Sequence, residues 1–302
     1  MSQMNEHVDV VVIGGGVVGC AVFRRFTLLG ARVLLLEKGG DILSGASKAN
    51  SAILHTGFDA PPGSLELQCM QEGYAEYLAI REKMNLPLLK TTAIVVAWTD
   101  EQLAALPGIV RQAHCNGVMD VVQIPAEEIY QREPGLAAGA LGGVFVPGEY
   151  VIDPWSAPLA YVTQAVMHGG NYRFNTEVTQ ATREGDDWLL STTQGSVRTR
   201  LVINCAGNFG DLVDGLWRKP EFEIRPRKGQ FLVYDKAAAK EINAIILPVP
   251  TPTTKGFCCA VQRLAISSWG QLLKNKLTAA GRKSTKMYSK DSLKKVAKCY
   301  QR

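Results

Sequence analysis

The chain has 302 residues, 46% hydrophobic and 20% charged, which suits two domains with buried cores and is too apolar for disorder. No run of about 18 apolar residues occurs, so no membrane-spanning helix is expected. No basic segment precedes an apolar stretch and a small-residue cleavage site, so no signal peptide is expected either. The net charge of +5 is uneven: residues 257–302 carry 11 Lys/Arg against one acid, Asp291, leaving 22 basic and 27 acidic residues before them. A nucleic-acid partner would be a reading of the tail alone, and none is expected.

In chain order, the apolar run 8–13 predicts a buried parallel strand. Gly14, Gly16 and Gly19 follow in G-x-G-x-x-G spacing and open an apolar helix over 17–29. Gly14 allows a tight turn, Gly16 lets a pyrophosphate approach the backbone, and Gly19 lets helix and strand pack closely. The helix amino end offers unpaired N–H groups and a positive dipole end to phosphates. Residues 32–36 read as a second strand, and Glu37 at its tip is placed to accept both ribose hydroxyls. Together these predict a dinucleotide site within one unit of about 30 residues. The alternative is a glycine-rich turn with no ligand.

From 41 to 57 small polar residues give way to apolar ones, a loop entering a short strand. Pro61, Pro62 and Gly63 punctuate, and Ser64 caps an amphipathic stretch over 65–84. Residues 91–98 predict a strand, and 99–116 a helix broken at Pro107-Gly108. A short helix over 126–132 stops at Glu133-Pro134-Gly135, and a strand follows over 140–146. Residues 154–168 read as a helix, 172–179 as extended, and 187–192 as a hairpin partner of 196–200. The run 201–205 predicts a buried strand, entering a second glycine turn, Ala206-Gly207-Asn208, before the segment 211–217. Residues 228–234 and 245–249 predict strands of a separate sheet. The fold class is α/β, a Rossmann-like parallel sheet beside a mixed β-sheet domain. Cys20, Cys69, Cys115 and Cys205 are scattered singly without metal-ligand spacing, which predicts buried reduced thiols, a cytoplasmic location and no metal site.

These motifs resemble the FAD-dependent oxidoreductases of the D-amino-acid oxidase superfamily, over about residues 8–256. The nearest look is the glycerol-3-phosphate dehydrogenase type, with L-2-hydroxyglutarate dehydrogenase a close relative. The likeness rests on the glycine triad with Glu37, on Gly45-Ala46-Ser47, Asn50-Ser51 and His55-Thr56-Gly57, and on Pro62-Gly63-Ser64-Leu65. It continues in Glu133-Pro134, Leu136, Asn204-Cys205-Ala206-Gly207-Asn208 and Pro226-Arg227-Lys228-Gly229-Gln230. The resemblance implies FAD, with its diphosphate at Gly14, Gly16 and Gly19 and its adenosine ribose at Glu37. Lys38, Ser47, Asn50 and Ser51 would lie along the diphosphate, ribityl chain and flavin edge. The backbone at Val178 would meet the adenine, and Ala206-Gly207 would let the chain pass close to the cofactor, where a side chain would collide.

A lone histidine in an apolar context is ordinarily a core residue. The resemblance instead places His-x-Gly facing the flavin, which matches His55 and Gly57. Oxidising a secondary alcohol removes the hydroxyl proton while hydride leaves the same carbon for flavin N5. A neutral imidazole, of unperturbed pKa about 6.5, suits that proton transfer. Arg225, Arg227 and Lys228 form a basic patch for an anionic substrate, or else solvated charges at a strand start. Glu66 stands where relatives carry Lys, which loosens any transfer of a substrate pocket. The implied activity is oxidation of a small polyol phosphate or 2-hydroxy acid, glycerol 3-phosphate first. Electrons would pass to a quinone or a partner protein, with at most peripheral membrane association. The alternatives are an L-2-hydroxyglutarate or amino-acid dehydrogenase or oxidase of the same superfamily, a nicotinamide-linked dehydrogenase, and an inactive truncated remnant.

The expected domains are FAD-binding over 1–84 and 147–217 and substrate-binding over 85–146 and 218–256, with 257–302 a basic tail unlike the family. Dropping two bases from the codons of residues 257–275 permits Leu-Leu-Cys-Arg-Thr-Ala-Phe-Gly-Asn-Leu-Leu-Val-Gly-Pro-Thr-Ala-Glu-Glu, which resembles the missing family strand. A frameshift near Gly256 is therefore expected, with a natural basic arm as the alternative. A substrate sheet cut there would lose its partner strands, and the chain would bind FAD weakly or not at all.

Overall fold

The computed structural model describes residues 6–226, 230–234, 236–250, 257–261 and 266–270. Arg227, Lys228 and most of the expected frameshifted tail, 262–265 and 271–302, lie outside the described residues. Two compact units form, residues 1–50 with 154–226 and residues 51–153 with 227–302. Residues 51–84 and 147–153, expected with the nucleotide-binding segments, thus belong to the second unit, and 218–226 to the first. Strand pairing and packing explain the shift: Tyr150–Ile152 pairs with Ile53–Leu54 and with Leu88–Leu89, and Ala52, Phe58 and Val151 share a core with Ala93 and Val95.

The first unit is built on a six-stranded sheet in the order Val178–Glu184, Asp187–Thr192, Gly195–Asn204, Glu6–Ile13, Val33–Leu36, Asn171–Arg173. The last four strands run parallel and the first three form an antiparallel meander. Both faces of the central strands are covered, so they read as continuous apolar runs. Val10, Val12, Val33 and Leu35 pack on one face with Cys20 and Phe23 of the helix Val17–Leu28 and with Val162 and Ala165 of the helix Ser156–Met167. Val11, Ile13, Leu34 and Leu36 pack on the other with Val178, Leu190 and Val197. The two helices are joined by Arg24 Nε, which donates to Gln164 Oε1 at 2.6 Å.

Two expectations change here. Residues 201–204 are the end of the longer strand Gly195–Asn204, and Leu201 is 43% exposed. The hairpin partner stops opposite Thr199, so beyond it the strand has a ladder only to Val10–Ile13 on its other side. The extended stretch over 172–179 divides at Asn175, at φ +52°, into two strands at opposite edges of the sheet.

The second unit holds a seven-stranded sheet ordered Gln230–Tyr234, Ile266–Gly270, Phe257–Val261, Ile245–Pro248, Ala93–Ala97, Gly142–Val146, Val122–Pro125. A small sheet joins Ile53–Leu54, Tyr150–Ile152 and Leu88–Leu89. Strands 257–261 and 266–270 pair with each other and with their neighbours on either side, so the expected loss of partner strands does not occur. The edge of Ile245–Pro248 would otherwise present unpaired backbone groups, and Phe257-Cys258-Cys259-Ala260-Val261 is apolar enough to fill it. The helix Asp100–Cys115 runs unbroken through Pro107. A proline inside a helix costs about 3 kcal/mol. Buried Leu106 and Ala113, with Leu103, Ile109 and Val110 packed on the same core, outweigh that at about 1.5–3 kcal/mol for each large side chain. Among the described residues no helix is long and apolar enough to cross a membrane.

Two stability predictions follow from this packing. A methyl group on Gly19 would stand 1.8 Å from the Gly14 carbonyl oxygen, whereas one on Gly73 in the helix Leu65–Ile80 meets nothing within 4 Å. Gly19→Ala is expected to cost about 3 kcal/mol, and Gly73→Ala to add about 0.5–1 kcal/mol, in urea denaturation; equal effects would contradict the packing. Glu133 is fully buried and accepts the backbone N–H groups of Asn243 (2.7 Å) and Ala244 at the start of Ile245–Pro248. Burial pushes its carboxyl pKa up, against the lowering by those two N–H groups. A raised folded-state pKa means its stabilising contribution is full below the unfolded value and lost as pH rises through the folded one. Glu133→Gln, whose amide oxygen still accepts both bonds, should therefore gain on the parent chain as pH rises above the ordinary glutamate range. Glu133→Ala should cost about 2 kcal/mol by orphaning the two N–H groups. Parallel denaturation curves at pH 5 and 8 would show either result, and identical pH dependence in parent and Gln variant would refute the first.

Candidate functional site

In the first unit the candidate residues gather where the parallel strands end, the usual crevice for ligands in such sheets. Gly14 N–H donates to the Leu36 carbonyl at 2.8 Å, and Cys205 N–H to the Ile13 carbonyl at 2.8 Å, tying the three strand ends together. Gly14 has φ +107°, and a Cβ there would lie 2.5 Å from the Cys205 carbonyl oxygen. Gly16 caps the helix Val17–Leu28 without a side-chain bond of its own. Instead Val17 N–H donates to Ser47 Oγ at 3.2 Å, and Val17 and Val18 are exposed, so the amino end stands open. Glu37 is 9% exposed, and its carboxylate accepts Gly15 N–H (2.6 Å) on one oxygen and Gly39 N–H (2.7 Å) on the other. Each carboxylate oxygen has a second lone pair left for a hydroxyl donor.

These features fit a dinucleotide such as FAD. The pyrophosphate would be held by the open helix amino end and its glycine turn, and the ribose by Glu37. The remaining candidates occupy varied positions. Asn50 Nδ2 donates to the Ser47 carbonyl at 3.1 Å, and Lys38 Nζ lies 3.3 Å from the Phe209 ring centroid. Val178 is buried at the start of its strand, paired with Thr192. Gly207 has φ +56° and nothing described within 4 Å of where a Cβ would stand, so within this chain its glycine is required by backbone conformation rather than by a collision. Asn204 shapes that second turn, its Oδ1 accepting Ala206 N–H at 3.2 Å and its Nδ2 donating to the Gly210 carbonyl at 2.7 Å. Ser51 belongs to the second unit, beside Ala52 at φ +57°.

The thiol expectation holds in part. Cys20 is buried, and burial, then the Glu37 charge, pushes its pKa up to about 12. Burial also raises Cys205, but Cys69 and Cys115 are exposed. Among the described residues no group of three His, Cys, Asp or Glu side chains could hold a metal ion.

In the second unit His55 follows Ile53–Leu54 directly, and Glu149 immediately precedes Tyr150–Ile152. The antiparallel register Ile53↔Val151 and Leu54↔Tyr150 continues to place 55 opposite 149, where paired side chains share a face. His55 Nδ1 and Glu149 Oε2 lie 2.8 Å apart, with an approach angle outside hydrogen-bond limits. The Glu149 side chain is fully buried and that of His55 one-third exposed. The other Glu149 oxygen accepts Thr56 N–H at 2.6 Å and Thr56 Oγ1 at 2.8 Å. Both flanks are pinned. Asn116 Nδ2 donates to the carbonyls of Gly57 (2.8 Å) and Ala60 (2.9 Å), and Tyr74 OH donates to the Gly148 carbonyl at 2.8 Å. Gly57 sits at φ +86°, a backbone conformation that favours glycine. Sequence reasoning missed Glu149. Its one signal is an acid between the apolar runs 142–146 and 150–152. Of the basic patch, Arg225 is exposed and pairs with Glu223 at 2.8 Å.

A family model described as FAD dependent oxidoreductase (DAO) matches residues 9–284, which extends past the expected end of the family-like region at 256. The chain is 28% identical to a glycerol 3-phosphate dehydrogenase of Caloramator mitchellensis over 82% of its length and 52% of the relative's. It is 29% identical to an L-2-hydroxyglutarate dehydrogenase of Indibacter alkaliphilus, covering 81% of this chain and 62% of that one. The chain thus spans roughly half to two thirds of these relatives. Among solved structures it is similar to the L-alpha-glycerophosphate oxidase of Mycoplasma pneumoniae with FAD bound, at TM-score 0.81 and 25% identity, covering 88% of this chain and 72% of that one. It also shares the fold of a glycine oxidase from Bacillus cereus, at TM-score 0.81 and 21% identity over 97% of this chain and 78% of that one. The chain belongs to the DAO family of FAD-dependent oxidoreductases.

Proposed function

We propose that this chain carries out FAD-dependent oxidation of a small polyol phosphate or 2-hydroxy acid, with glycerol 3-phosphate the favoured substrate. The observation that carries the reading is the cradle of Gly14, Gly16, Gly19 and Glu37, whose shape and donors suit an adenine dinucleotide. Relatives named for glycerol 3-phosphate, at 28–29% identity, support the substrate class. A relative named for L-2-hydroxyglutarate, at 29%, supports that acid as the second reading.

FAD, when bound, would supply a two-electron acceptor, and a quinone or partner protein is the proposed onward acceptor. The chain's own residues bind, orient and move the proton. Gly14, Gly16, Gly19 and Glu37, with Lys38, Ser47, Asn50, Ser51, Val178, Ala206 and Gly207, are the residues proposed to hold the cofactor. His55, as the neutral imidazole, takes the proton of the substrate hydroxyl.

The test is turnover of the full-length chain, reconstituted with FAD, on glycerol 3-phosphate, L-2-hydroxyglutarate, glycine and proline with an artificial dye acceptor. Glycerol 3-phosphate should give the highest kcat/KM, and His55→Asn should lower kcat by on the order of 10²–10⁴ while the bound-flavin absorbance stays unchanged. Preference for an amino acid, or full turnover by His55→Asn, would overturn the reading.

A further inference from the structure

The register that sets His55 opposite Glu149 carries an inference resting on the reading of His55 as the base. We propose that Glu149 is a positioning residue, which fixes the His55 imidazole with its proton on Nδ1 and so makes Nε2 the atom that accepts the substrate proton.

The argument starts from the carboxylate. Glu149 is fully buried, and a buried carboxylate is tolerated only where donors surround it. Thr56 supplies two donors, its N–H and its hydroxyl, both to Oε1. Oε2 is turned to His55 Nδ1 at 2.8 Å. An ionised carboxylate is acceptor-only, so a lone pair on Nδ1 at that distance would face a lone pair on oxygen and be repelled. A proton on Nδ1 removes the repulsion and gives the carboxylate its third donor. In a neutral imidazole the other nitrogen is then the acceptor.

The geometry around the pair holds it in place. Asn116 grips the loop after His55, Gln112 Nε2 grips the same loop at the Asp59 and Ala60 carbonyls, and Tyr74 grips the turn before Glu149. Tyr74, which grips that turn, interacts with Tyr150, Glu149 and Asp120. Burial, then Tyr150, Glu149 and Asp120, raises the Tyr74 phenol, so it stays neutral at working pH. The Glu149 carboxylate lies 2.8 Å from Nδ1 of the ring. A carboxylate so placed favours the protonated imidazole, so its removal should lower the His55 pKa.

Two measurements on the full chain test this. Nitrogen-15 NMR of the histidine side chains, with His55 assigned by its loss in His55→Asn, should show Nδ1 protonated and Nε2 bare in the neutral form. An Nε2-protonated ring in the parent chain would overturn the proposal, whether or not any variant folds. Glu149→Gln keeps an oxygen for Thr56 but turns an amide N–H toward Nδ1, which selects the opposite tautomer. It should move the NMR signature to Nε2–H, shift the His55 titration to lower pH, and lower kcat by on the order of 10²–10⁴ with KM changed by less than about threefold. Glu149→Asp should recover part of that loss. The double variant His55→Asn, Glu149→Gln should be no slower than His55→Asn alone. Loss of activity in His55→Asn with an unaltered tautomer and rate in Glu149→Gln would remove the proposal and leave the base reading standing. Full turnover in His55→Asn would remove both.

Discussion

The first unit depends on an approach that no side chain can share. The Gly14 carbonyl points at Gly19 so closely that a single methyl group has no place between them, and Gly14 itself is pressed against the Cys205 carbonyl. These contacts bring the first helix down onto the ends of three parallel strands. Its open amino end then stands beside the one buried acid of the second strand's tip. Glu37 is held there by two backbone N–H groups, one from each flanking turn. The phosphate and ribose contacts proposed for this crevice would thus share one packing constraint.

The second unit reaches its chemistry by a different route. No motif brings His55 and Glu149 together; strand register does. Because the side-chain period of a strand is two, a one-residue slip would turn the pair to opposite faces. The hydrogen bonds from Asn116, Gln112 and Tyr74 to the backbone on either side oppose such a slip. A buried carboxylate and a one-third-exposed imidazole at ion-pair distance form an asymmetric couple.

The local parts of this architecture were legible in the amino-acid sequence. Glycine spacing, the Ser64 cap, whose hydroxyl accepts Leu67 N–H at 3.1 Å, and the hairpin over 187–200 all depend on neighbouring residues. What was hidden depends on tertiary partners. Pro107 reads as a helix breaker until the buried flank of its helix is counted. Leu201 reads as core until its hairpin partner is seen to stop short. Glu149 carries little local signal because its partners, Thr56 and His55, follow a strand nearly a hundred residues earlier in the chain. The residues after 256 read as foreign by motif, yet strands 257–261 and 266–270 complete a sheet by backbone pairing, which any apolar run of adequate length can do.

The central claim is that the glycine and Glu37 crevice is an FAD site, held chiefly through the adenosine diphosphate half. Competition at equilibrium tests it most directly, by titrating FAD into the full chain and following flavin fluorescence with ADP, FMN or NAD added. The account predicts that ADP displaces FAD at a single site and that FMN, which lacks the adenosine ribose, does not. Displacement by FMN and not by ADP, or binding of NAD in preference to FAD, would contradict it.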